Sequence, residues 1–226
     1  MANKSNKHRN KKLTRIAIAA LLIILVGSFI VSRSENKVDP EAIANVETFA
    51  LEPRIKGNPE AEISLVKYSD FQCPACAQAY TALKQLEESF GEQFSFEYRH
   101  YPLRTIHPNA QLAAQAAEAA GVQGKFWEMH DMLFENQAEW SRSINPKKQF
   151  KNYAEDLGLN EDRFEFDLES DEVKAKVNQD ADQAALLQLP GTPSFLVNGE
   201  VGTIQEFTAL LDLSAIENQE ETESVE

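Results

Sequence analysis

The sequence predicts an α/β fold: a βαβ unit, an α-helical insertion, then a further strand and helix, with an N-terminal membrane helix ahead of the whole. Three observations carry this. Residues 63–98 run apolar strand, amphipathic helix, alternating strand, the order that gives a parallel strand pair. Residues 107–189 are helical in pattern throughout, too much for a simple crossover, so they form an insertion beside the sheet. Residues 16–31, IAIAALLIILVGSFIV, carry no charge.

The elements follow in chain order. Residues 1–15 are a basic tail, and 16–32 read as a transmembrane signal-anchor that keeps the tail cytoplasmic and exports the rest. The run is short beside the roughly 17–25 residues of a spanning helix, but Leu13 and snorkelling of Arg15 and Arg33 extend it. A cleaved signal peptide, ending near Val26-Gly27-Ser28, is the competing reading. Phe29, Ile30 and Val31 continue past that point and favour the anchor. Either reading places the body on the periplasmic or extracellular side, in an oxidising compartment. Residues 33–53 form a linker, with Ile43, Val46, Phe49 and Leu51 as an arm able to pack on the body.

The domain occupies 54–215. Of 226 residues, 42% are hydrophobic, enough for a core without a disulfide framework. After the turn Gly57-Asn58-Pro59, Ile63–Tyr68 is a buried strand. The helix from Cys73 buries Cys76, Ala79, Tyr80, Leu83, Leu86 and Phe90 at three- and four-residue spacing and stops at Gly91. Phe94, Phe96 and Tyr98 alternate with polar residues as the next strand. The insertion holds helices over 110–120 and 125–136. Asn145-Pro146 opens a third that stops at Gly158, and shorter ones cover 161–169 and 172–188. Pro190-Gly191-Thr192-Pro193 breaks the pattern, 194–198 is a strand and 204–213 a helix. The tail 216–226 is acidic and predicted disordered. Residues beyond 32 hold all 36 acidic but only 16 of the 22 basic side chains. Such an acidic body argues against nucleic acid as a partner.

Cys73 and Cys76 are the only cysteines. Pro74 suits the first helical position, which makes Cys73 the N-cap. A Cys73 thiolate there faces the free amides of Ala75 and Cys76 and the positive end of the helix dipole, so its pKa falls. Cys76 lies one turn in, on the apolar face, and is the less reactive partner that resolves a mixed disulfide. A structural staple would close too short a loop to stabilise much. A zinc site needs about four ligands, and His100, His107 and His130 have no ligand spacing with the cysteines. No metal or other cofactor is called for. Downstream, Thr192-Pro193 reads either as a simple turn or as a cis-proline loop whose backbone meets a substrate chain near the sulfurs.

YSDFQCPAC (68–76), HPNAQLAAQAAEAAG (107–121), GKFWEMHDMLFENQ (124–137) and GTPSFLVNG (191–199) together resemble the DsbA-like thiol:disulfide oxidoreductases of the thioredoxin superfamily. The resemblance spans about residues 53–212 and implies a thioredoxin-like fold with the helical insertion. It implies that Cys73 is the exposed nucleophile and Cys76 its partner. Pro74 and Ala75 would tune the redox poise, and Pro193 would be the cis-proline after Thr192. It further implies reduced or unfolded exported proteins as substrates, and a membrane quinone-linked reoxidase of the DsbB or vitamin-K-epoxide-reductase type. One departure stands out. Six positions before the first cysteine, where this family often has a buried acid, stands Lys67. Lysine there either favours thiolates electrostatically or points to solvent, with Asp70 and Glu97 as alternative proton-transfer groups. The expected activity is disulfide formation. A reductase or isomerase on the same CPAC site, or a non-catalytic thioredoxin-like binding domain, are the alternatives.

Overall fold

The computed structural model describes residues 52–223, with side chains to residue 214. The expected signal-anchor at 16–32, and the arm with Ile43, Val46, Phe49 and Leu51, lie outside the described residues. Among those described, no helix is long and apolar enough to cross a membrane.

The elements in order are β1 (Arg54–Gly57), β2 (Ile63–Ser69), α1 (Pro74–Phe90), β3 (Phe94–His100), α2 (Ala110–Val122), α3 (Phe126–Glu135), α4 (Gln137–Trp140), α5 (Pro146–Asp156), α6 (Glu161–Leu168), α7 (Asp171–Leu186), β4 (Ser194–Val197), β5 (Glu200–Gly202) and α8 (Ile204–Glu223). The sheet order is β1-β3-β2-β4-β5. The predicted βαβ unit is β2-α1-β3, paired in parallel from Ile63 with Phe94 to Ser69 with His100. The other three pairings are antiparallel. This is a thioredoxin-like α/β fold with α2–α7 inserted between its two halves.

Strand alternation sorts the side chains onto two faces. Lys67 sits beside Tyr98 on one side and Phe195 on the other. That face carries Leu65, Phe94, Phe96, Tyr98 and the core side chains of α1, α3 and α8. Phe207 of α8 meets Phe94 edge-on at 5.0 Å, and Phe134 of α3 stacks on Tyr80 of α1 at 5.1 Å. Helix α1 buries Cys76, Tyr80 and Leu83, as its spacing predicts. The opposite face carries Glu97 and Arg99, over which α7 lies, with Arg99 donating to Asp180 and Gln183.

Helix α2 is the axis of the insertion. Its alanines at 113, 116, 117 and 119 have no exposed surface, which fits a helix apolar on nearly every side. Buried Glu118 is taken up by Arg54 and by His100 Nε2 at 2.8 Å. Helices α6 and α7 start on side-chain caps: Asn160 Oδ1 accepts from Arg163 N at 2.8 Å and Ser170 Oγ from Val173 N at 3.2 Å.

Several local expectations come out differently. β1 and β5 were not predicted, and they are the short edge strands. Helix α1 stops before Gly91, yet Gly91 has φ −53° and leads into a 3-10 turn rather than a left-handed cap. The glycine the fold requires is Gly57. Its φ is +74°, and a Cβ there would collide with the carbonyl oxygens of Phe94 and Gly91. Asn145 stands at the N-cap of α5, as its pairing with Pro146 predicts, but its side chain makes no capping bond. Helix α8 runs to Glu223, through most of the acidic tail expected to be disordered; Glu and Gln are good helix formers.

Candidate active site

The site begins where β2 ends. Asp70 turns the chain: its Oδ1 accepts from Gln72 N at 2.7 Å, and its Oδ2 from Leu103 N at 2.9 Å and His107 Nδ1 at 2.7 Å. The Asp70 carbonyl accepts from Cys73 N at 3.1 Å. Pro74 then starts α1 at the first position, with Cys73 as N-cap in extended conformation (φ −74°, ψ 122°). Pro74 and Ala75 are exposed above the sulfurs.

Both cysteines are free thiols, and they are unequal. Cys76 is fully buried and Cys73 keeps 7% of its surface. The nucleophile expected to be exposed is therefore largely covered, because the cis-proline loop lies across it. Its thiol donates to the Thr192 carbonyl oxygen at 3.4 Å, and the Thr192–Pro193 peptide bond is cis. The loop and the CPAC turn, 119 residues apart in sequence, thus share one site.

Cys73 Sγ makes no capping bond to the helix amides as a thiol. Its pKa nevertheless falls from 9.0 to about 5. The largest cause is the Cys76 thiol, which donates to the anion. Partial burial opposes it, and the Thr192 hydroxyl and the amides of Cys76 and Ala75 add to the lowering. The sequence points to the amides; the structure places the neighbouring sulfur first. Thr192 Oγ1 is buried without another partner, free to serve the thiolate. Cys76 goes the other way: burial, then its bond to Cys73, push its pKa up.

Lys67 does not reach solvent. It is fully buried, and its Nζ donates to the Cys76 carbonyl oxygen at 3.3 Å. Asp70 is in the site, but its carboxylate is held by three donors and only its amide faces Cys76 Sγ, at 3.5 Å. Glu97 is on the opposite face of the sheet, paired with Arg99 at 2.7 Å. Strand alternation removes it from the sulfurs.

Two side chains that no sequence signal singled out, Gln137 and Gln72, hold the CPAC turn to the insertion, and a third, Asn109, braces the insertion where they attach. Gln137 of α4 donates to the carbonyl oxygens of Phe71 (2.6 Å) and Cys73 (3.0 Å). Gln72 donates to Ser141 O at 2.7 Å and accepts from Asn109 N at 2.8 Å. Asn109 Nδ2 reaches Ser143 O at 3.0 Å. Among the described residues no cluster of His, Cys, Asp and Glu could hold a metal ion.

The family described as Thioredoxin matches residues 50–213. The chain belongs to the thioredoxin family. Within it, the fold is DsbA-like. A thioredoxin-like oxidoreductase from Silicibacter pomeroyi is 25% identical, with a TM-score of 0.62 over 78% of this chain and 98% of that one. BdbD from Bacillus subtilis, solved oxidised, superposes with a TM-score of 0.62 at 19% identity, over 71% of this chain and 91% of its own. The thiol-disulfide exchange protein alpha-DsbA2 from Wolbachia pipientis gives 0.61 at 19% identity, covering 73% and 88%. Curated relatives by sequence are Na(+)/H(+) antiporters. NhaA 1 of Salinispora arenicola is 43% identical over 64% of this chain and 21% of its own length. NhaA 1 of Mycolicibacterium vanbaalenii is 34% identical over 81% and 30%. This thioredoxin-family chain thus spans between a fifth and a third of those relatives, and their antiporter name describes the longer proteins.

Proposed function

We propose that this protein is an exported, membrane-tethered thiol:disulfide oxidase that forms disulfides in reduced or unfolded exported proteins. The observation that carries the reading is the inequality of the two sulfurs: Cys73 lowered to about 5 beside the cis-proline loop, Cys76 raised and buried behind it. A substrate thiolate attacks Cys73 Sγ, and Cys76 leaves. A second substrate thiol then attacks the mixed disulfide, and Cys73 departs as a stabilised thiolate. Two electrons pass from the substrate thiols to the CPAC disulfide. A good leaving group at Cys73 makes the disulfide a strong oxidant. A membrane quinone-linked reoxidase of the DsbB or vitamin-K-epoxide-reductase type recharges the dithiol, and the residues at 16–32 keep the two close.

The test is oxidation of a reduced, unfolded protein by the disulfide form at one equivalent. Disulfide should appear in the substrate stoichiometrically, and Cys73→Ser should abolish it. A potential more reducing than the glutathione pool would instead make the protein a reductase.

A further inference from the structure

Where the cysteine turn meets the inserted helices, one carbonyl oxygen has more donors than lone pairs. The Cys73 carbonyl closes the first turn of α1, accepting from Cys76 N at 3.1 Å and Ala77 N at 3.2 Å. Gln137 Nε2 of α4 is a third donor, at 3.0 Å. A carbonyl oxygen offers two lone pairs, so one of the three donors is in surplus. The same Gln137 amide also donates to the Phe71 carbonyl oxygen at 2.6 Å. One side chain thus spans the turn from Phe71 to Cys73.

Gln137 is held independently of the sulfurs. Helix α4 ends on Trp140, which has no exposed surface. The Trp140 Nε1 donates to Leu133 O at 2.7 Å, and its ring meets Phe150 of α5 edge-on at 5.3 Å. Ser141, the next residue, donates its amide to Gln137 O at 3.0 Å, and its own carbonyl accepts from Gln72 at 2.7 Å. A side chain on a segment fixed in this way has little left to lose in order when it makes its two bonds.

The surplus donor matters when Cys73 ionises. As a thiol, Cys73 Sγ takes no bond from the helix amides, and the Cys76 amide is committed to the Cys73 carbonyl. As an anion, the sulfur draws on the amides of Cys76 and Ala75. One N–H cannot serve both acceptors fully, and the bond to an ionised acceptor is the stronger. The Cys76 N–H therefore turns from the carbonyl to the sulfur. The carbonyl keeps Ala77 N and Gln137 Nε2, one donor for each lone pair. Without Gln137 it would keep Ala77 N alone, and an under-satisfied carbonyl in a covered turn opposes the change.

We infer that Gln137 is a positioning residue for the Cys73 thiolate: it holds the Cys73 carbonyl oxygen so that the Cys76 amide is released to the sulfur anion. The inference rests on the Cys73–Cys76 cycle proposed above, and it makes a side chain of the insertion one of the groups that set its redox poise. Gln137 acts through the carbonyl and the amide, with no part in the bonds that form or break.

Gln137→Met keeps the length of the side chain and removes both donors. In the full chain, the acidity constant of Cys73, read by iodoacetamide alkylation of the dithiol form against pH, should fall about threefold to tenfold, the loss expected of one net hydrogen bond. That moves the midpoint up by about half to one pH unit. Equilibration with glutathione at pH 7 should shift toward the disulfide by the same factor, since the thiolate is what favours reduction. In urea at pH 7 the dithiol form should lose more stability than the disulfide form. A clamp that only fastens the turn would cost both redox forms equally and leave midpoint and equilibrium unmoved, and that result overturns the inference. Should Gln137→Met not fold, the wild type decides. The chain has two cysteines, so carbon-13 in the cysteine carbonyls labels two groups, and that of Cys73, bonded to the Pro74 nitrogen, has an infrared band of its own. The band should move to higher frequency as Cys73 ionises, because a donor leaves it. A band that keeps its frequency across the alkylation midpoint overturns the inference. If the cysteines do not exchange with glutathione at all, the proposed function has failed. If they exchange and Gln137→Met matches the wild type in midpoint and equilibrium, only the role of Gln137 has failed.

Discussion

Acidification should separate the dithiol protein from its disulfide form in a predictable way. Cys73 has a folded pKa of about 5 against 9.0 for an ordinary thiol. A depressed acid pKa stabilises the folded dithiol form above the folded value, and the effect is lost as pH falls through it. Below pH 5 the contribution is nil. At pH 7 it reaches about 2.7 kcal/mol, two pH units at about 1.36 kcal/mol each. Solvent at the rim of the sulfur screens part of this, so we expect about 1–3 kcal/mol. The same energy favours reduction and raises the potential of the disulfide by about 20–60 mV at pH 7. Urea unfolding of both redox forms at pH 4.5 and pH 7 measures the stability difference, and iodoacetamide alkylation of the dithiol form across the same range gives the Cys73 pKa directly. The dithiol form should gain on the disulfide form by that amount between the two pH values, and alkylation should rise with a midpoint near 5. A midpoint at 8 or above, with no change in the stability difference, would refute the thiolate argument and with it the oxidase reading.

Other variants probe neighbouring parts of the site and core. Cys76→Ala removes the thiol that donates to the Cys73 anion and should raise the alkylation midpoint by at least about one pH unit, whereas Cys76→Ser, which keeps a donor, should raise it less. Cys76→Ser should also accumulate mixed disulfides through Cys73, visible as mass adducts with a reduced substrate; their absence would break the assignment of roles. Glu118→Ala leaves Arg54 and His100 facing a buried gap and should cost about 3–5 kcal/mol in urea melts at pH 7. Leu83→Ala, under α1, should cost about 2–5 kcal/mol without moving the Cys73 midpoint.

Long periodic elements were legible in the sequence. The face of α1 from Cys76 to Leu83 and the alternation of Phe94, Phe96 and Tyr98 each state which side is buried, and the structure agrees on both. Segments whose stability comes from pairing were not. Arg54–Gly57 is four residues with polar side chains at 54 and 56, and only its ladder to β3 makes it a strand. The Asn145-Pro146 pair marked both the helix start and its N-cap position correctly, though the Asn145 side chain makes no capping bond. At the site, the two cysteines and the cis-proline loop have sequence signals of their own. The orientation of Lys67 has none: a lone lysine in a strand reads as exposed, and only register with Tyr98 and Phe195 turns it inward. Gln72, Asn109 and Gln137 were equally silent, since an amide acquires its role from the carbonyl oxygen it happens to meet.

Gln72 and Gln137 tie the cysteine turn to the inserted helices, and Asn109 braces the segment they meet, through bonds that involve no formal charge. Ionic strength does not screen such ties and ordinary acidity does not protonate them. The turn therefore keeps part of its hold in brine, dilute medium or mild acid, while the Asp70 carboxylate with its three donors, and the sulfurs themselves, answer to each. Shape at this site rests on two kinds of force, only one of which the surroundings can tune.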